Sequence, residues 1–173
     1  AYLQKLFLPE NVAITGEFKR QLEFVNELEY VINSSNELIK PKFQSANPPE
    51  LLEETSEGLL YKLLNGLKLK INTGTDNFKK HVFTKSGSVG FTEAFTTTYP
   101  DIDYSTITDS DDTMIFKQAG INYIPACLRE TTEIIGRAKA APLPVLIQPD
   151  DIKGIIHSHS NWSDGSNTLE EMA

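Results

Sequence analysis

The stretch from Gly58 to Ile71 constrains this chain more than any other. LLYKL and LKLKI flank Asn65-Gly66, and Asn-Gly between alternating apolar residues is the strongest short-range hairpin signal. Side chains of a strand alternate between faces, so Leu67, Leu69 and Ile71 share one face and Lys68 and Lys70 the other. The expectation is a half-buried antiparallel hairpin with a lysine-lined outer face.

Weaker signals organise the rest. Val12-Ala13-Ile14-Thr15 reads as a strand ended by Gly16, followed by a short helix or turn over Glu17–Leu22. Leu28–Ile32 reads as a second strand, closed by turn formers at Asn33–Asn36. Residues 40–49 hold three prolines and read as a loop. Pro48-Pro49-Glu50 is expected to open a short helix through Leu52, since proline fits a first helical turn. Helices are expected over Thr75–Lys85, capped by Thr75 or Asp76 with Phe78 and Val82 on one side, and more weakly over Ser88–Thr96. Ser110 is the N-cap candidate for a helix through Met114, Ile115 and Gln118 that stops at Gly120, with Asp111-Asp112 suited to its positive end. Arg129–Lys139 is read as helical, and the proline-rich APLPVLIQPDD as a connector with a domain boundary near Pro142–Asp150.

The chain has 173 residues with 16 basic and 24 acidic side chains, a formal charge of −8. Whole-body attraction to nucleic acid is not expected of it. The charge is uneven: Lys62–Lys85 holds six lysines and one acid, Asp76, whereas Tyr99–Phe116 holds five aspartates and no base. Both stretches read first as solvated faces; the functional alternative turns the lysines toward phosphates. No apolar run is long enough to span a membrane. The single cysteine, Cys127, excludes an internal disulfide and fits a reducing, cytoplasmic setting. Cys127 reads as a structural thiol, and His81 as one face of a surface helix. The absent initial Met and the ending LEEMA read as an excised piece of a longer protein.

The most chemical motif lies at the C-terminal end. His157-Ser158-His159 follows an apolar run and precedes Ser163-Asp164-Gly165. On a strand, residues two apart project from one face, so both imidazoles reach one ion and Asp164 can add an oxygen after a turn. Imidazole with carboxylate suits Zn, Mn or Fe. Trp162 is expected to pack beside this turn.

DIKGIIHSHSNWSDGSNTLEEMA resembles the opening of the PHP (polymerase and histidinol phosphatase) phosphoesterase domain. The resemblance implies that His157, His159 and Asp164 are metal ligands on the first strand and turn of a β/α barrel. It also implies a divalent metal (Zn, Mn or Mg) in the full domain and metal-assisted phosphoester hydrolysis by the parent protein. Members often carry an acidic residue where Ile155 stands. The later ligand motifs are absent, so an incomplete centre that holds no metal is expected in this chain.

The residues upstream resemble bacterial family X DNA polymerases in motif order. Val12–Arg20 is similar to their strand and G-S-x-R-R turn, Glu27–Ile32 to the D-x-D strand, Phe83-Thr84-Lys85-Ser86 to F-T-G-S, and Gly120–Glu130 to G-[LI]-x-[YF]-I-P-P-E-L-R-E. The resemblance implies an α+β fold: a nucleotidyltransferase-like palm with a small mixed sheet over 1–85, a thumb-like region over 86–140, and a linker with the start of a PHP domain over 141–173. It implies that Gly16, Lys19, Arg20, Thr84 and Ser86 lie at the phosphate-binding positions, and that DNA is the partner of the full-length protein, held weakly by this acidic piece.

The departures decide the expected activity. Glu27 and Glu29 stand for the first two aspartates, and each added methylene moves an oxygen by about 1.5 Å. Lys70 stands at the third carboxylate, a cation where two metal ions need an anion. Glu17 replaces the serine of the turn and would face phosphates as an anion. The expected outcome is a palm that keeps its fold without nucleotidyl transfer, beside a PHP phosphoesterase or 3′–5′ exonuclease, with Lys70 pairing to Glu27 or Glu29 in place of metal. An active nucleotidyltransferase using Glu27 and Glu29, and a non-enzymatic nucleic-acid or protein interaction module, are the alternatives.

Overall fold

A computed structural model describes residues 3–8, 11–44, 47–107, 112–154 and 157–172. The chain is mixed, with helices and one five-stranded sheet. It divides into two units, residues 1–143 and 144–173. No helix among the described residues is long and apolar enough to cross a membrane.

In the first unit the order of elements is α1 (Leu3–Leu6), β1 (Val12–Thr15), α2 (Gly16–Lys19), β2 (Glu27–Ile32), α3 (Asn36–Ile39), a 3-10 turn at Lys40–Phe43, β3 (Glu50–Thr55), β4 (Gly58–Lys62), β5 (Lys68–Thr73), α4 (Phe78–Thr84), α5 (Val89–Thr98), α6 (Thr113–Gln118) and α7 (Glu133–Ala140). The sheet runs β1-β2-β5-β4-β3, with β2 and β5 parallel and the other pairs antiparallel.

The hairpin forms as expected. Lys62 pairs with Lys68, and the Gly66 N–H donates to the Leu63 carbonyl across a turn where Gly66 takes φ +85°. Leu69 and Ile71 are buried on one face with Leu59 and Tyr61 of β4. Val12, Ile32, Ile39, Phe43 and Leu3 complete this core, and Phe43 stacks on Tyr61 at 4.9 Å between centroids. Each fully buried aliphatic side chain here contributes about 1.5–3 kcal/mol.

A second core lies C-terminal to the sheet. It is aromatic: Phe83, Phe91, Phe95, Tyr104 and Phe116 join Ile115, Ile124, Ile134 and Ile135. Arg129 is wholly buried within it. The guanidinium lies 5.3, 5.0 and 5.8 Å from the ring centroids of Phe83, Phe116 and Tyr123, and Nη2 meets Asp112 at 2.7 Å. Nε donates to the Ile124 carbonyl at 2.9 Å.

Several expectations are corrected. Glu50–Leu52 is strand, not helix: Pro49 precedes it, and the ladder to β4 supplies backbone bonds that a three-residue helix lacks. The cap of α4 is Asn77, whose side chain accepts the Lys80 N–H; Asp76 is engaged with the Thr75 hydroxyl instead. Helix α7 begins only at Glu133, after a 3-10 turn at Ala126–Leu128. Asp112 is the residue before α6, and its carboxylate goes to Arg129 rather than to the helix. Ser110 and Asp111 lie outside the described residues.

In the second unit, residues 157–160 form no strand, although the sequence reads as the first strand of a barrel, and among the described residues no strand pairs with them. Ile155 and Ile156 lie outside the described residues. Trp162 is 86% exposed rather than packed.

Candidate functional site: a charged cleft on the open face of the sheet

The face of the sheet opposite its aliphatic core is built from the alternate residues of the same strands. Strand register sets them in rows. One row reads Glu50, Lys62, Lys68, Glu27; the next reads Glu53, Leu60, Lys70, Glu29 and, on β1, Thr15. The lysine-lined face of the hairpin is therefore flanked on both sides by glutamates from β2 and β3.

Lys70 and Asn72 both lean toward the β2 residue two positions before their own register partner. Lys70 Nζ lies 3.6 Å from Glu27 Oε1, and Asn72 Nδ2 donates to Glu29 Oε1 at 2.8 Å. A cleft of about 270 Å³ opens here, lined by Glu27, Lys70, Asn72, Lys85, Glu53 and Glu57 among others. The structure thus brings Glu27, Glu29 and Lys70 together. Glu27 faces an ammonium, and Glu29 accepts a hydrogen bond from an uncharged amide.

Gly16 packs against Glu29. It takes φ +66°, and a Cβ there would collide with the Glu29 carboxylate. Its N–H donates to the Lys85 carbonyl at 2.8 Å, tying the turn after β1 to the end of α4. Thr15, just before it, is fully buried, and its hydroxyl has no hydrogen-bond partner among the described residues.

Among the other phosphate-position residues, Arg20, Thr84 and Ser86 have partners of their own. Glu17 does not face the cleft as an open anion. Its carboxylate accepts the Asn26 backbone N–H at 2.6 Å and the Asn26 amide at 3.1 Å, which pins residues 20–26. The backbone N–H first, then the amide, hold the Glu17 carboxyl below the ordinary glutamate range. Arg20 is not free: Nε meets Glu130 at 2.5 Å, and Nη1 donates to the Gly87 carbonyl at 3.5 Å. Ser86 is buried with its hydroxyl on the Val82 carbonyl, and the Thr84 hydroxyl donates to the His81 carbonyl. Lys19 is exposed.

The C-terminal motif is drawn together separately. His159 Nδ1 meets Asp164 Oδ1 at 2.5 Å, and His159 Nε2 meets His157 Nε2 at 2.7 Å. The turn from Ser160 makes this contact, since the Gly165 N–H donates to the Ser160 carbonyl. Gly165 lies against the His159 carbonyl so closely that a Cβ would overlap it. The donor types suit a transition metal. They form a chain through both nitrogens of His159, and among the described residues no group of three such donors converges to hold an ion.

Sequence reasoning missed Asn72 and Asn26. Asn72 was the most accessible, because it lies two residues beyond Lys70 and so on the same strand face. Arg129 gave no local signal, since arginine is rarely buried and its aromatic neighbours come from distant segments. No protein-family model matches the chain, and no curated protein matches it.

Proposed function

We propose that this chain is the palm, thumb-like region and first PHP motif of a family X DNA polymerase-like protein, with a palm that serves as scaffold or DNA guide rather than synthetic centre. The observation that carries this reading is the Lys70–Glu27 pair beside the Asn72–Glu29 bond. Two divalent ions bridged by carboxylates need anions converging on a common pair of points. In this cleft one carboxylate faces an ammonium and the other an amide. The residues present do not fit a two-metal centre.

Two further features support the reading. The Gly16 turn, the Phe83–Ser86 segment and Arg129-Glu130 come from distant parts of the sequence yet meet: Gly16 bonds Lys85, Arg20 bonds Glu130, and the Ser88 hydroxyl donates to the Glu130 carbonyl. The motifs that suggested the family by their order are neighbours in space. The lysines of the hairpin, in turn, stand in register between glutamates of β2 and β3, and Lys70 is paired with Glu27, which suits a scaffold face.

The phosphoesterase activity belongs, on this reading, to the complete PHP domain. His157, His159 and Asp164 are the residues here that would hold its metal, which when bound lowers the pKa of a water and offsets phosphoryl charge. The test uses the full-length protein with Mn²⁺, a primed template and a 3′-labelled strand. The expected result is 3′ degradation lost on His157→Ala, with no primer extension. Extension that requires Glu29 would overturn the proposal.

A further inference from the structure

Strand β3 is the outer edge of the sheet, and all six of its residues are exposed. The other edge, β1, is four residues long with Val12 and Thr15 buried. An edge strand turns alternate N–H and C=O groups away from its neighbour and is a template for one more strand. Register with β4 sorts the β3 side chains. Leu51 and Glu54 stand opposite Tyr61 and Leu59, whose side chains are in the core, so they lie on the core side. Glu50 and Glu53 stand opposite Lys62 and Leu60, on the open side. Lys40 takes Glu54 at 2.7 Å, whereas Glu53 and Glu57 have no ion pair among the described residues. No lysine or arginine occurs from Glu50 to Tyr61. Leu51 and Leu52 are 42% and 44% exposed.

We propose that β3 docks an extended basic segment of another protein as an added strand. Lysine or arginine at alternate positions would lie beside Glu50, Glu53 and Glu57, and apolar residues between them beside Leu51. Main-chain bonds give the affinity of such an addition and alternate side chains its specificity. The irregularity between Leu51 and Glu53 interrupts the ladder and keeps the docked run short. A second copy of this chain is disfavoured as occupant. Pairing β3 with itself would set Glu50, Glu53 and Glu54 of two strands together, and each chain already carries −8; like charges across strands destabilise pairing.

The probe is a capped, fluorescein-labelled Lys-Val-Lys-Val-Lys-Val peptide, titrated with the full chain and read by anisotropy. The expected result is saturable binding that weakens about tenfold when alternate amides of the peptide are N-methylated, because charge is kept while strand bonds are lost. Glu53→Lys with Glu57→Lys is expected to weaken it about tenfold as well, with folding checked by circular dichroism. Equal binding of the N-methylated peptide, or of a Glu-Val counterpart, would overturn the proposal, and the peptide arm needs no change to the protein. Dimerisation of the free chain in sedimentation that Leu52→Pro abolishes would overturn it in favour of a second copy.

Discussion

Replacing Lys70 by aspartate puts the charge argument for the cleft to direct test. The ammonium lies 3.6 Å from Glu27, with 42% and 29% of the two side chains exposed. An ion pair this open contributes about 0.2–1 kcal/mol. Lys70→Asp removes it and adds a third carboxylate to a face that carries Glu27 and Glu29, a repulsion of about the same size. The expected loss is about 0.4–2 kcal/mol, which for a chain of this size lowers Tm by about 1–8 °C. Aspartate also supplies the anion that a divalent ion needs. A metal present at about 100 times its Kd restores about 2.7 kcal/mol. Scanning calorimetry with and without MnCl₂ reads both effects, in proteins that also carry His157→Ala and His159→Ala so that the C-terminal motif does not contribute. Mn²⁺ is expected to stabilise the Lys70→Asp protein and to have no effect with Lys70 in place. Equal stabilisation of both proteins would refute it.

Other substitutions probe the frame around the cleft. Gly16→Ala forces a side chain into positive φ against Glu29 and is expected to cost at least about 1–2 kcal/mol in urea unfolding, whereas Gly136→Ala, in α7 with open space around it, is expected to stabilise by about 0.5–1 kcal/mol. Arg129→Met leaves Asp112 without its partner, and Arg129→Ala empties the aromatic cage as well; the alanine variant is expected to cost about 3–5 kcal/mol by the same measurement. Glu17 has a folded-state pKa held below its unfolded value, so its contribution is present above the ordinary glutamate range and is lost as pH falls through the folded value. Glu17→Gln should therefore flatten the acid limb of a stability profile below the ordinary glutamate range, and an unchanged limb would show that the Asn26 bonds do not matter.

What could be read from the sequence was local. The hairpin announced itself through Asn65-Gly66 and period-two alternation, and β1 and β2 through short apolar runs, so the shared face of Glu27 and Glu29 and that of Lys68 and Lys70 followed, while the place of Lys70 beside the two glutamates came only with the resemblance. Strand β3 did not, because ELLEET has no local reason to extend: its glutamates suit a helix, and only the ladder to β4 decides. The partner of Arg20 is 110 residues away, beyond any periodic signal. Glu17 was read as a repulsive anion because its charge is visible in the sequence, while the Asn26 donors that turn it aside depend on the return of the chain into β2. Trp162 was expected to pack because tryptophan usually does, yet the turn that joins His159 to Asp164 leaves it outside.

The most direct measurement is an anomalous difference map from crystals soaked with Mn²⁺ and a nucleoside triphosphate. The account predicts no manganese peak between Glu27 and Glu29, with the Lys70 ammonium still beside Glu27. A pair of peaks bridged by those two carboxylates, with triphosphate density against Gly16 and Arg20, would contradict it.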